Sequence, residues 1–104
     1  MIGYKLIFAP EVENDLQEGI DWYNEKQAGL GIRFFKEVKR QLNYIKKNPY
    51  TIAVRYDVIR CSKIKNFPYL IHFKVEENIK TIKIIAVFNT NRNPAIWVKR
   101  GIKQ

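Results

Sequence analysis

Five consecutive apolar residues, Ile84-Ile85-Ala86-Val87-Phe88, break off abruptly at Asn89-Thr90-Asn91-Arg92-Asn93-Pro94. A run this short and this rich in β-branched side chains fits a strand buried on both faces rather than a helix with one wet side. Its polar end places an arginine and several hydrogen-bonding side chains at the tip of that strand, and loop residues held by a rigid scaffold are where binding and catalysis usually sit. Trp97 follows shortly after.

A chain of 104 residues around such a strand forms one domain, and with 46% hydrophobic and 13% aromatic residues it can build a small but real core. Cys61 is the only cysteine, so no internal disulfide forms, and a reducing cytoplasm is the expected compartment. The start Met1-Ile2-Gly3-Tyr4-Lys5 shows no basic segment followed by a long apolar one, so no secretory leader is expected. Nowhere do 18 apolar residues run together, which excludes a membrane-spanning helix.

The net charge of +9 is unevenly spread. Residues 1–30 set two lysines against six carboxylates, a net of −4, whereas residues 31–104 set 17 basic side chains against 4 acidic ones, a net of +13. Such asymmetry serves either solubility alone or a partner that is a polyanion or an acidic protein.

Tyr4-Lys5-Leu6-Ile7-Phe8 reads as a first strand. Pro10 suits the start of a helix, with Glu11 and Glu13 complementing its dipole. Val12, Leu16, Ile20 and Tyr23 then form an apolar stripe, while Glu11, Asp15 and Glu18 form a second stripe expected to face solvent. Gly29-Leu30-Gly31 permits the reversal of a helical hairpin. The second helix is expected to bury Phe35, Val38, Leu42 and Ile45, to carry Lys36, Lys39, Arg40, Lys46 and Lys47 outside, and to stop at Asn48-Pro49. Three more strands are expected at about Val58–Ile64, Tyr69–Val75 and Thr81–Phe88, the last two joined by a Glu76-Glu77-Asn78 turn. The fold class is therefore α+β, in the order β-α-α-β-β-β, with a helical hairpin on one face of a mainly antiparallel sheet. Period-two alternation turns Ile59, Cys61, Ile71 and Phe73 toward the helices and leaves Arg60, His72 and Lys83 on the opposite, open face.

With these pieces in place, the chain resembles the RelE/ParE superfamily of toxins from type II toxin–antitoxin modules, closest in pattern to the ParE-like plasmid stabilisation branch. The residues that carry the resemblance are Ala9-Pro10-Glu11 with Leu16, Trp22-Tyr23, Gly29-Leu30-Gly31 with Phe34-Phe35, Asn48-Pro49, Ile59-Arg60, Phe67-Pro68-Tyr69, Ala86-Val87-Phe88, Arg92-Asn93-Pro94 and Trp97. They run in order across nearly the whole chain. The resemblance implies a single toxin domain over residues 1–104 that inhibits growth and is neutralised by a cognate antitoxin wrapping across its surface in a hetero-oligomer. ParE-like members act on DNA gyrase and leave stalled gyrase–DNA complexes. RelE-like members cut mRNA in the ribosomal A site, so the alternative is a ribosome-dependent endonuclease. A second alternative is a basic nucleic-acid-binding domain without toxicity. No cofactor, metal or membrane partner is implied.

Cutting RNA through its 2′-hydroxyl requires a base, cations for the charged transition state and an acid for the leaving oxygen. Arg60, Lys63 and Lys65 before the Phe67-Pro68-Tyr69 turn, and Arg92 after the last strand, can bind phosphate. With Trp97 and Arg100 they form the expected target- or nucleic-acid-binding set, and Arg60, Lys63, His72 and Arg92 are the catalytic candidates if the chain is a nuclease. The proton shuttle is harder to find. Trp97 stands near the position where the nuclease branch carries Tyr or His, and its indole N–H cannot titrate. Asn89 replaces a histidine common among relatives, and Leu70 stands where that branch tends to place an arginine. His72 is either a general base or a hydrogen-bonded structural side chain, and Cys61 lacks a basic partner that would make it a nucleophile. These departures favour a toxin that inhibits by binding gyrase over an enzyme that cuts RNA.

Overall fold

The computed structural model describes residues 3–91. Strand β1 (Lys5–Phe8) leads to helix α1 (Glu11–Lys26) and helix α2 (Leu30–Lys47), followed by strands β2 (Val54–Tyr56), β3 (Ile59–Lys63), β4 (Tyr69–Glu76) and β5 (Thr81–Asn89). The sheet order is β1-β5-β4-β3-β2, antiparallel except for the parallel β1–β5 pair. The helical hairpin and mainly antiparallel sheet are those expected from the sequence. An additional short edge strand, β2, enters because Asp57 adopts a left-handed conformation (φ 48°), which lets Asp57-Val58 reverse the chain so that Tyr56 pairs with Ile59.

Pro10 occupies the N-cap of α1, one residue ahead of the position its missing N–H would suggest, with Glu11 and Glu13 in the first turn. Between the helices, Gly29 takes a φ of 88°, a conformation that disfavours any side chain. Gly31 lies where the helices come closest. Its N–H donates to Asn24 Oδ1 at 2.8 Å, and a Cβ there would collide with the Ile20 carbonyl oxygen and stand 2.7 Å from the Asn24 side chain.

Val12 of α1 and Phe34, Val38, Leu42 and Ile45 of α2 pack against Ile71, Phe73, Ile82, Ile84 and Val87 of the sheet. Phe34, not Phe35, is the buried aromatic of α2. Phe35 remains partly exposed, because adjacent helical positions differ by about 100° and only one of them points between α1 and the sheet. Phe34 joins Tyr23, Phe67 and Tyr69 in an aromatic cluster with centroid separations from 4.7 to 6.1 Å, in tilted or edge-on geometry.

Register corrects the expected strand faces. Cys61 pairs with His72 and Ser62 with Ile71, so Ile59 and Cys61 lie on the face away from the helices. Arg60, paired with Phe73, lies on the helical side. Simple alternation is one residue out of phase for β3 relative to β4, which inverts the side chains of β3 while Ile71 and Phe73 face the helices as expected. A bulge where His72 pairs with Ala86 and Phe73 with Ile84 puts both Ile85 and Ala86 on the outer face, while Ile84 and Val87 stay in the core. His72 and Lys83 do share the outer face, as expected.

Candidate functional site

Two tips of the sheet meet at one end of the molecule. The end of β3 and the β3–β4 connection carry exposed Lys63 and Lys65, and the chain turns through Asn66 (φ 70°) before the buried Phe67. The Thr90 N–H donates to the Pro68 carbonyl at 2.7 Å, fastening the end of β5 to this turn. The Asn89 side chain then accepts from the Asn91 N–H at 2.7 Å, which bends the chain as it leaves the strand. Arg92, Trp97 and Arg100 lie outside the described residues.

Beneath this end, a cleft of about 390 Å³ is lined by Asp15, Glu18, Trp22, Tyr69, Val87, Asn89 and Asn91. Helical spacing alone turns the acidic stripe of α1 toward solvent, yet Asp15 is only 8% exposed and its Oδ2 accepts from the Val87 N–H at 3.0 Å. The cause is topological. Strand β1 ends at Phe8, opposite Ile84, so the Val87 amide lies beyond its neighbour strand and a side chain must supply the acceptor. A lining of two carboxylates and two amides suits a cation better than a phosphate. An Asp one turn before the apolar Gly19-Ile20 segment carries no sequence signal that distinguishes a buried acceptor from a solvated acid.

Arg60 is held rather than presented. It is half-buried, its Nη1 donates to the Ile52 carbonyl at 2.5 Å, and its guanidinium lies 4.9 Å from the centroid of the Tyr50 ring. It therefore does not join Lys63 and Lys65 in a common cationic surface.

His72 is fully buried on the outer face of the sheet. Tyr56 Oη lies 2.9 Å and Cys61 Sγ 3.4 Å from its Nδ1, and Phe88 packs edge-on at 5.3 Å. Burial, aided by the nearby Cys61 and Asp57 charges, pushes the Tyr56 phenol well above its ordinary value. Burial likewise pushes the Cys61 thiol up to about 11, against the pull of Arg55. A phenol and a thiol, both kept protonated, lie against the same ring nitrogen. A general base must reach the hydroxyl it activates. Nδ1 is engaged by two neighbours inside the protein, and the thiol beside it is held in its unreactive form.

Among the described residues no three His, Cys, Asp or Glu side chains gather as metal ligands would, and no helix is long and apolar enough to cross a membrane. A second, more apolar groove of about 620 Å³ runs between α1, the end of β1 and the exposed ring of Phe35, lined by Phe8, Val12, Leu16 and Ile20 among others.

No curated protein sequence matches the chain. Solved structures do. The chain is similar in fold to a chain from the chromosomal ParDE toxin–antitoxin system of P. aeruginosa (TM-score 0.73, 16% identity, covering 85% of this chain and 97% of that one). It is also similar to a mutant of E. coli toxin RelE, with two arginines replaced by alanine, in its free state (TM-score 0.68, 15% identity, covering 95% of this chain and 98% of that one). The sequence itself matches the family profile described as ParE toxin of type II toxin-antitoxin system, parDE, over residues 6–94. The strand order, the hairpin and the profile agree, and the chain belongs to the ParE toxin family of type II toxin–antitoxin systems.

Proposed function

We propose that this toxin inhibits growth by binding DNA gyrase rather than by cutting RNA, and that a cognate antitoxin neutralises it. The observation that carries the reading is the placement of the only histidine: His72 lies in the core with Nδ1 held by Tyr56 and Cys61, not at the cationic tip. Leu70 and Asn89, at positions where nuclease relatives carry Arg and His, support the same reading. Lys63 and Lys65, with Arg92, Trp97 and Arg100 in the segment that follows β5, form the target-contacting set in this proposal. Arg60 positions the β3 side of the sheet through Tyr50 and Ile52.

The groove between α1, β1 and Phe35 is the landing area for an apolar antitoxin segment, since it lies beside an edge strand and is framed by Phe8, Leu16 and Ile20. Inducing the chain in cells tests the target. The expected result is an SOS response with gyrase-linked DNA breaks, whereas mRNAs truncated at the A site without DNA damage would establish the endonuclease instead.

A further inference from the structure

The two helices of the hairpin carry opposite charge. The exposed acids of α1 are Glu11, Glu13, Glu18, Asp21 and Glu25, while α2 exposes six cations, of which Lys39 and Lys46 lie to one side and Arg33, Lys36, Arg40 and Lys47 form a row. On a helix of 3.6 residues per turn these four cations fall within a sector of about 60°, directly opposite the buried Phe34, Val38, Leu42 and Ile45. At ~1.5 Å per residue the row is about 21 Å long. Arg40 is the one member in a salt bridge among the described residues, to Glu37 at 3.1 Å, and its side chain remains 67% exposed. Like charges at these spacings repel one another along a helix, so apart from the Arg40–Glu37 pair and the place of Lys47 in the last turn the row works against the stability of α2.

We infer that the outer face of α2 is a docking surface for double-stranded DNA, held through its phosphate backbone without reading bases. Three features select this occupant. A straight row of about 21 Å lies along a length of duplex that displays on the order of 12 phosphates, so a rigid rod meets a rigid rod. Single strands are usually held by free aromatic platforms. The row itself holds no aromatic residue: Lys39 lies over the ring of Phe35 at 5.4 Å, and Tyr44, partly exposed at the margin of the row, has its hydroxyl engaged by Thr51 at 3.1 Å. The acids of α1 repel a polyanion from the adjacent helix and confine it to α2. This docking is independent of whether gyrase is the toxin's target.

Binding of the full-length chain to a labelled DNA duplex of about 20 base pairs, followed by fluorescence anisotropy between roughly 50 and 200 mM salt without gyrase or ribosomes, tests the inference. Four phosphate contacts predict a slope of log K against log salt of about −3 to −4. The variant combining Lys36→Gln, Arg40→Gln and Lys47→Gln, all at exposed positions, keeps the wild-type circular dichroism spectrum and its slope falls to about −1, with affinity at low salt reduced on the order of 100-fold. The double variant Lys5→Gln/Lys83→Gln, which removes charge from β1 and β5, binds as the wild type does. The inference is overturned by absent duplex binding at low salt, by an unchanged slope in the triple variant, by an equal loss in the double variant, or by tighter binding to polyglutamate than to the duplex, which would mark an acidic protein as the occupant.

Discussion

Gly31 holds the two helices of the hairpin together, and Asp15 holds the hairpin to the sheet. A methyl at Gly31 would press on the Ile20 carbonyl and the Asn24 amide, neither of which can withdraw without breaking helix geometry or the bond Asn24 makes to the Gly31 N–H. Gly31→Ala is expected to lower stability by about 1–3 kcal/mol in urea titrations. Asp15→Ala strands the Val87 amide and costs about 1–3 kcal/mol, while Asp15→Asn keeps an oxygen for that amide and costs less. Cys61 gives a chemical readout of its burial. Raised from 9.0 to about 11, the thiol is ionised about 100-fold less at mildly alkaline pH than in the unfolded chain, and alkylation by iodoacetamide slows accordingly. Labelling of the folded protein at the unfolded rate would contradict that environment.

At the scale of elements, a polar clamp joins segments distant in sequence. Tyr4 and Tyr50 both donate to Glu77 Oε1, at 2.8 and 2.6 Å, and Lys80 bonds the other carboxylate oxygen. The clamp ties the residue before β1 to the turn after α2 and the β4–β5 turn, and Arg60 adds β3 by lying over Tyr50. The bonds from Lys80, Tyr50 and Tyr4 hold the Glu77 carboxyl down at about 2, and Tyr50 is pushed up to about 12 chiefly by its bond to Glu77. Because the folded value lies below the ordinary 4.5, the clamp contributes fully above that pH and is lost as acid titrates the folded carboxyl toward about 2. Tyr50→Phe is expected to move the Glu77 midpoint upward in an NMR pH titration, and an unmoved midpoint would show that the phenol is not a donor. The helices and four of the five strands were legible because their apolar spacing and their stops at Gly29 and Asn48-Pro49 are local. Faces and neighbours were not, since they depend on contacts between segments. The Cys61–His72 pairing decides which face Arg60 takes, the bulge at Ile85 interrupts period two, and the early end of β1 turns Asp15 from a surface acid into a buried acceptor.

At the scale of the whole molecule, charge and chemistry are separated. Among the described residues, exposed cations form a row on α2 and a pair at the β3–β4 tip, while the single imidazole is enclosed in the outer face of the sheet. Lys63 and Lys65 were legible as exposed cations, because a polar, turn-forming connection is where lysines can remain solvated. The isolation of Arg60 was not, because its contacts come from Tyr50 and Ile52 in a different part of the chain. In the proposed reading, a toxin arranged this way acts through docking. His72→Gln, which retains a hydrogen-bonding side chain, is therefore expected to lower stability without abolishing growth arrest, whereas Lys63→Ala/Lys65→Ala weakens arrest at unchanged stability; growth curves paired with thermal melts of the same variants separate the two. The most direct test of the central claim adds the purified chain to gyrase, supercoiled DNA and ATP, then counts broken DNA after the protein is denatured. Protein-linked breaks that increase with the amount of toxin are the predicted result, and intact DNA alongside cleavage of ribosome-bound transcript by the same preparation would contradict it.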